Sequence, residues 1–259
     1  MALHLSKLGL GVLLLSLVVP LRADLPTLLN DALENANRDR GRWAYTESDV
    51  EKDGSGKLMH SSVVRNDPSK PYAEQLTPIE IDGKPPTDRD FKKYRAQGER
   101  RAPKNDNSQV EKPRKPGSRL SDYIDPNQIT VSAEDAQTIT YELGLKKNDN
   151  FEFPPEKFQA FARVNKEHRA LERVSVQLRS SFRFKMLLKL KSAAVSIEFA
   201  TLDPQYGTVR TTIHASGSAS ILFVTIGGSD DITRSDFKHV KPFDERFNVK
   251  IGPLKALDT

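Results

Sequence analysis

Residues 158–178 read FQAFARVNKEHRALERVSVQL, and whether they form one helix or two strands decides the fold. By propensity residues 158–173 score as helix, since Ala, Leu, Arg, Glu and Gln are good helix formers. Yet Asn165-Lys166-Glu167-His168 has turn character, and beyond it Val174, Val176 and Leu178 alternate with Ser175 and Gln177, the period of a half-buried strand. We therefore read a hairpin here, and the chain becomes β-rich.

Working outward, DAQTITYELG before the hairpin and SAAVSIEFATL after it carry the same β-prone patterning, as does GTVRTTIHASGSASILFVTIGG at 207–228. Residues 182–191 (FRFKMLLKLK) fit a helical turn, a strand or an exposed interaction element, and periodicity does not choose among them. The closing FKHVKPFDERFNVKIGPLK supplies one more strand or two.

Toward the N-terminus, RWAYTESDVE and KLMHSSVVRND flank Lys52-Asp53-Gly54-Ser55-Gly56, which has the Asp-Gly chemistry of a hairpin turn. Period two places Trp43 and Tyr45 on one, buried, strand face. EQLTPIEI is a third short strand, Asp82-Gly83-Lys84-Pro85-Pro86 turns out of it, and Thr87 caps a helix through DRDFKKYRAQ. Leu25, Leu28, Leu29, Ala32, Leu33 and Ala36 recur at helical spacing, with Asp24 as cap and Gly41 as stop, so this helix lies on the sheet. The expectation is an α+β, β-rich fold: seven to eleven mainly antiparallel strands with two or three helices, in a single domain over residues 24–259.

The first 23 residues have the order of a secretory signal: Lys7, an apolar run from Leu8 to Val19, then Pro20 and the small Ala23. The run is shorter than the roughly 20 residues that span a bilayer. Cleavage near Ala23/Asp24 would leave an exported, extracytoplasmic protein with no transmembrane segment. The chain has no cysteine, which removes disulfides and thiolate chemistry. Loss of Lys7 and Arg22 would bring its net charge from +5 to +3, too little for a nucleic-acid binder. The basic excess is local, in residues 95–119. Within it, residues 102–119 (APKNDNSQVEKPRKPGSR) have one large aliphatic residue and three prolines, so we read a mobile basic insertion, a solvated linker or a peripheral membrane contact.

No motif assembles a catalytic or metal site. Asp49, Glu51, Asp53, Gly54 and Ser55 imitate the start of a calcium loop, but Gly56 and His60 occupy positions that need an aliphatic residue and a bidentate Glu. His60, His168, His214 and His239 lack zinc-ligand spacing, and no GxSxG elbow, SxxK pair or P-loop is present. Asp230 and Asp231, after Gly227-Gly228-Ser229, read as a solvated turn. No cofactor is expected.

Taken in order, the signal, the amphipathic helix, the W-x-Y strand, DPSKP, IEIDGKPPT with its FKKY helix, and the hairpins ending in ASGSASILF and DFKHVKPF form a recognisable series. It resembles bacterial proteins described as outer-membrane lipoprotein-sorting-like, within the lipoprotein-carrier (LolA/LolB/RseB-like) fold group. The resemblance implies a strongly curved sheet, an incomplete barrel, with helices across its concave side and an apolar cavity for acyl chains. On that reading the protein is a non-catalytic binder of a lipid, an acyl chain or a lipidated partner such as a lipoprotein. Trp43, Tyr45, Ile79, Ile81, Phe199 and Phe223 are then its first candidate ligand residues, and each is also an ordinary core candidate. The alternatives are an envelope interaction or stress-sensing protein docking through its sheet, and a hydrolase with a dispersed site.

Overall fold

The computed structural model describes residues 24–102, 119–147, 154–184, 188–221 and 224–246. Residues 1–23, where the sequence reading expects a signal, positions 103–118 of the expected basic insertion, and Phe223 lie outside the described residues.

Helix α1 (Thr27–Arg38) is followed by β1 (Trp43–Asp53), β2 (Leu58–Asn66), β3 (Leu76–Ile81) and helix α2 (Asp88–Glu99). Then come β4 (Ile124–Glu134), β5 (Thr138–Leu145), β6 (Phe158–Asn165), β7 (Ala170–Leu178), β8 (Phe182–Phe184), β9 (Leu188–Ala200), β10 (Val209–Ile221) and β11 (Val224–His239). These strands form one antiparallel sheet in the order β3-β2-β1-β11-β10-β9-β7-β6-β5-β4, with β8 added on β9. The sheet is open: β3 and β4 are its two edges and do not pair.

Residues 158–178 are the hairpin that the turn and the alternation predict, β6 to β7. On β6 the side chains of Phe158, Ala160, Ala162 and Val164 are buried, while Gln159, Phe161, Arg163 and Asn165 are less so. Helix propensity is overridden because α1 needs an apolar face to lie on. Leu29, Ala32 and Leu33 of α1 are fully buried against that face, with Ile139, Tyr141 and Leu143 of β5, Leu171 and Val174 of β7, and Phe199 of β9. Each fully buried leucine stabilises the fold by about 1.5–3 kcal/mol.

Cross-strand partners share a face, so the register can be followed across the sheet. Val131, Tyr141, Ala162, Val174, Ile197, Ile213, Ile232, Asp49, Ser62 and Ile81 form one continuous row through ten strands. Helix α1 covers the Ala162–Val174 part of the row. Helix α2 covers its far end, where Tyr94 packs with Val64, Leu76 and Ile81. Both helices therefore sit on the same face.

The helix starts follow local chemistry. Asp24 is not the cap of α1. The N-cap is Pro26, and no side chain caps the helix. Proline disfavours helical geometry in the residue before it, so Leu25 cannot belong to the helix and Asp24 stands too far upstream. Thr87 does cap α2, in a reciprocal box in which its hydroxyl accepts from the Asp90 amide and the Asp90 carboxylate accepts from the Thr87 amide. Gly227 to Asp231 are strand and not turn, because Gly228, Ser229, Asp230 and Asp231 pair with β1 and β10 on either side. Strand β4 opens with Asp125-Pro126-Asn127, which reads as a turn. It is accommodated because β4 is an edge strand, where a missing N–H costs no ladder bond, and because the register breaks between Asp125 and Ile129.

Candidate functional site

Among the recesses of the helix-bearing face, one lies beneath α1 and one beyond its C-terminal end. The first is an apolar cavity of about 280 Å³, lined by Leu33 of α1, Leu120 and Tyr123 of the turn before β4, Ile124, Leu143 and Leu145, Ala160 and Ala162, and Val174 and Val176. The small Ala160 and Ala162 create the volume, since they sit where β6 passes under the helix. Lys146 is the one charged lining residue; it is exposed and marks the open side.

The second recess, of about 530 Å³, lies among β1, β10, β11 and the loop through Pro68 and Tyr72. Its walls are aromatic and cationic: Trp43, Tyr45, Phe237 and Phe243 with Arg40, Arg101, Arg210 and Arg234. Trp43 meets Tyr206, Phe237 and His239 edge-on at centroid distances of 5.8, 6.3 and 5.1 Å. Tyr206 stacks on His239 at 3.7 Å. The Arg234 guanidinium stands 4.6 Å over the Tyr45 ring and donates to Glu47 at 2.8 Å. Burial pushes the Tyr45 hydroxyl pKa up, and the charge of Arg234 opposes that rise.

Two β-bulges build this recess. On β10 the register slips between Arg210 and Thr212, so Arg210 opposes Phe199 and faces the helix side together with Ile213. On β11 it slips opposite Tyr45, where Asp236 adopts φ 51°, bringing Phe237 to the same face as Arg234. An L-residue holds that conformation only where its surroundings support it; here the Asp236 carbonyl accepts from Arg65 at 2.9 Å. The end of α1 is fixed to the mouth of β10 by two bonds, from the Gly207 amide to Asp39 at 2.7 Å and from the Thr208 amide to Asn35 at 3.0 Å. A Cβ on Gly207 would lie 2.3 Å from the Asn35 carbonyl oxygen, so this approach requires glycine.

Trp43 and Tyr45 share a face and line the second recess. Trp43 is buried, and Tyr45 is partly so. The other candidates do not join them. Phe199 is in the core beside α1, Ile81 packs under α2, and Ile79 points away from that core and is half exposed. The residues that line the apolar cavity escaped sequence reading because alanine gives no signal of a void. Arg210 escaped because a bulge, invisible to a period-two pattern, decides which way it faces. In the imitation calcium loop, Asp53 spends one carboxylate oxygen on the Ser55 and Lys57 amides and the Ser55 hydroxyl, so it closes the hairpin turn. Among the described residues no group of three or more His, Asp or Glu is placed to hold a metal, and no helix is long and apolar enough to cross a membrane. The chain matches no family model, no curated protein sequence and no solved structure.

Proposed function

We propose that this is an exported, periplasmic, non-catalytic protein that holds the acyl chain of an amphiphile in the cavity under α1. The observation that carries the reading is a cavity walled almost wholly by apolar side chains, on the helix-covered face of an open antiparallel sheet. Its volume of about 280 Å³ is just below the range of roughly 300–1,000 Å³ typical of sites for whole small molecules. It suits a stretch of one chain, with the polar remainder outside near Lys146. Transfer of chain surface from water supplies roughly 25 cal/mol per Å², so affinity needs no specific polar contact and selectivity is modest. The signal-like order of residues 1–23 and the resemblance to lipoprotein carriers support the same reading.

The test is organic extraction of protein purified from its own envelope, together with titration by a fluorescent fatty-acid analogue. Wild type is compared with Ala160→Leu, which places a larger side chain in the cavity. Recovery of an unmodified amphiphile, and saturable binding that the substitution abolishes, are expected. An empty extract with no saturable binding would favour the docking-surface alternative, and a chemically altered ligand would reveal an enzyme.

A further inference from the structure

The recess beyond the end of α1 differs from the acyl cavity in kind. It is lined by four guanidinium groups and by two carboxylates, those of Asp39 and Asp244. Both carboxylates are occupied, Asp39 by the Gly207 amide and Asp244 by the Tyr72 hydroxyl. The other arginines have partners of their own: Arg234 donates to Glu47, Arg101 donates to Asn66 at 3.0 Å, and Arg40 also makes an interaction of its own. The guanidinium of Arg210 differs from these, since it makes no hydrogen bond or ion pair with any described residue although the residue is partly buried. Burial, and after it the charges of Arg40 and Arg234, lower its pKa from the ordinary guanidinium value. A guanidinium partly withdrawn from water in that way attracts an anion more strongly than a fully exposed one. Two bulges, one of them with a residue at positive φ, are what turn Arg210 and Phe237 into the recess.

We propose that this recess is a binding site for a phosphate group borne on a small organic molecule, with Arg210 as its main partner and Arg101 and Arg40 as flanking charges. The guanidinium fork matches the oxygens of a phosphate. Four guanidinium groups stand against the carboxylates of Asp39, Asp244 and, just outside the lining, Glu47, and the remaining excess of positive charge favours an anion such as a phosphomonoester. At about 530 Å³ the recess has room for more than the anion, and Trp43, Tyr45 and Phe237 offer aromatic walls to the body that carries it. The proposal does not depend on the acyl cavity. The phosphate can belong to a soluble ester or to a lipid headgroup, and one experiment separates the two.

The full chain is titrated calorimetrically with phenyl phosphate and, below its micelle concentration, with dihexanoyl phosphatidic acid. Wild type, Arg210→Met, Arg101→Met and Ala160→Leu are compared. The expected result is saturable binding that added salt weakens, about tenfold or more weaker in Arg210→Met, as loss of a charge-assisted hydrogen bond implies. Should Arg210→Met lose its fold by circular dichroism, the exposed Arg101→Met decides, again through weaker binding. Phenyl phosphate bound equally by wild type and Ala160→Leu assigns the site to soluble esters. Binding of the phosphatidic acid alone, weakened by Arg210→Met, assigns it to a headgroup. Failure of both probes to saturate, or affinities unchanged in the arginine variants, would overturn the proposal whatever the acyl cavity holds.

Discussion

Asp49 of β1 and Asp230 of β11 are diagonal neighbours on the helix-bearing face, Asp49 opposing Ile232 and Glu51 opposing Asp230. Two carboxylates so placed repel each other when both are ionised, which favours a proton on Asp49. Burial first, then the neighbouring carboxyl of Asp230 and its charge, raise the pKa of Asp49 to about 6. The Asp230 Oδ1 atom is buried with no hydrogen-bond partner, which adds to the cost of a second charge beside it.

The first prediction concerns pH. A folded-state pKa raised above the ordinary carboxyl value means that the native state binds the proton more tightly than the unfolded chain. The stabilising contribution of Asp49 is therefore full below about pH 4 and lost as pH rises through about 6. Asp82, Asp90, Asp135 and Asp231 have lowered pKa values, so their contribution is present above about pH 4 and lost below it. The two windows are distinct. Urea midpoints of wild type should fall between pH 4 and pH 7 relative to those of Asp49→Asn; parallel curves would show that folding does not tighten proton binding at Asp49.

The second prediction concerns Trp43, whose ring is 9% exposed and ringed by Tyr206, Phe237 and His239. Trp43→Ala should cost about 3–5 kcal/mol. Trp43→Phe should cost much less than that. The indole N–H is buried without an acceptor, so replacing it removes an unsatisfied donor along with some packing. Chemical denaturation of the two variants checks the ranking, and equal losses would refute the account of the N–H.

A third prediction reverses a general rule. Replacing glycine by alanine inside a helix ordinarily stabilises by about 0.5–1 kcal/mol. Gly98 of α2 is an exception, because a Cβ there would lie 2.0 Å from the backbone oxygen of Tyr72. Gly98→Ala must push α2 off the short helical turn at Tyr72–Glu74 and should lower the melting temperature. A rise would mean that the contact relaxes at no cost.

These cases also mark how far the sequence could be read. Alternation at Val174, Val176 and Leu178 was enough to find the β6–β7 hairpin, and Thr87 announced α2, because both signals are local. Strand β4 was missed, since Asp125-Pro126-Asn127 reads as a turn and its edge position is a property of the whole sheet. Gly227 to Asp231 misled in the same direction: turn-forming residues lie mid-strand, and a Cβ on Gly228 would come within 2.4 Å of the Lys52 carbonyl oxygen. Trp43 and Tyr45 were found at a recess because aromatic residues at period two stand out. Arg210 was not, since its direction depends on the bulge that places it opposite Phe199.

The last prediction separates a guest cavity from a packing defect. Leu33 and Ala160 line the void under α1 from opposite walls, one on the helix and one on β6. Leu33→Ala enlarges the void and should cost about 2–5 kcal/mol. Ala160→Leu fills it. In a core already packed to density the added methylenes would cost about 1–3 kcal/mol, but here they enter existing space, so the ligand-free variant should unfold at the same urea concentration as wild type or a higher one. Added amphiphile should then stabilise wild type alone, by about 2.7 kcal/mol at a hundred times its Kd. A loss of stability in ligand-free Ala160→Leu would show that the space is too small to accept even a leucine side chain, and the acyl-chain reading would fail with it. An unchanged or raised midpoint, combined with loss of the amphiphile's effect, would show that the sequence keeps Ala160 small at no benefit to folding, which is what a volume reserved for a ligand requires.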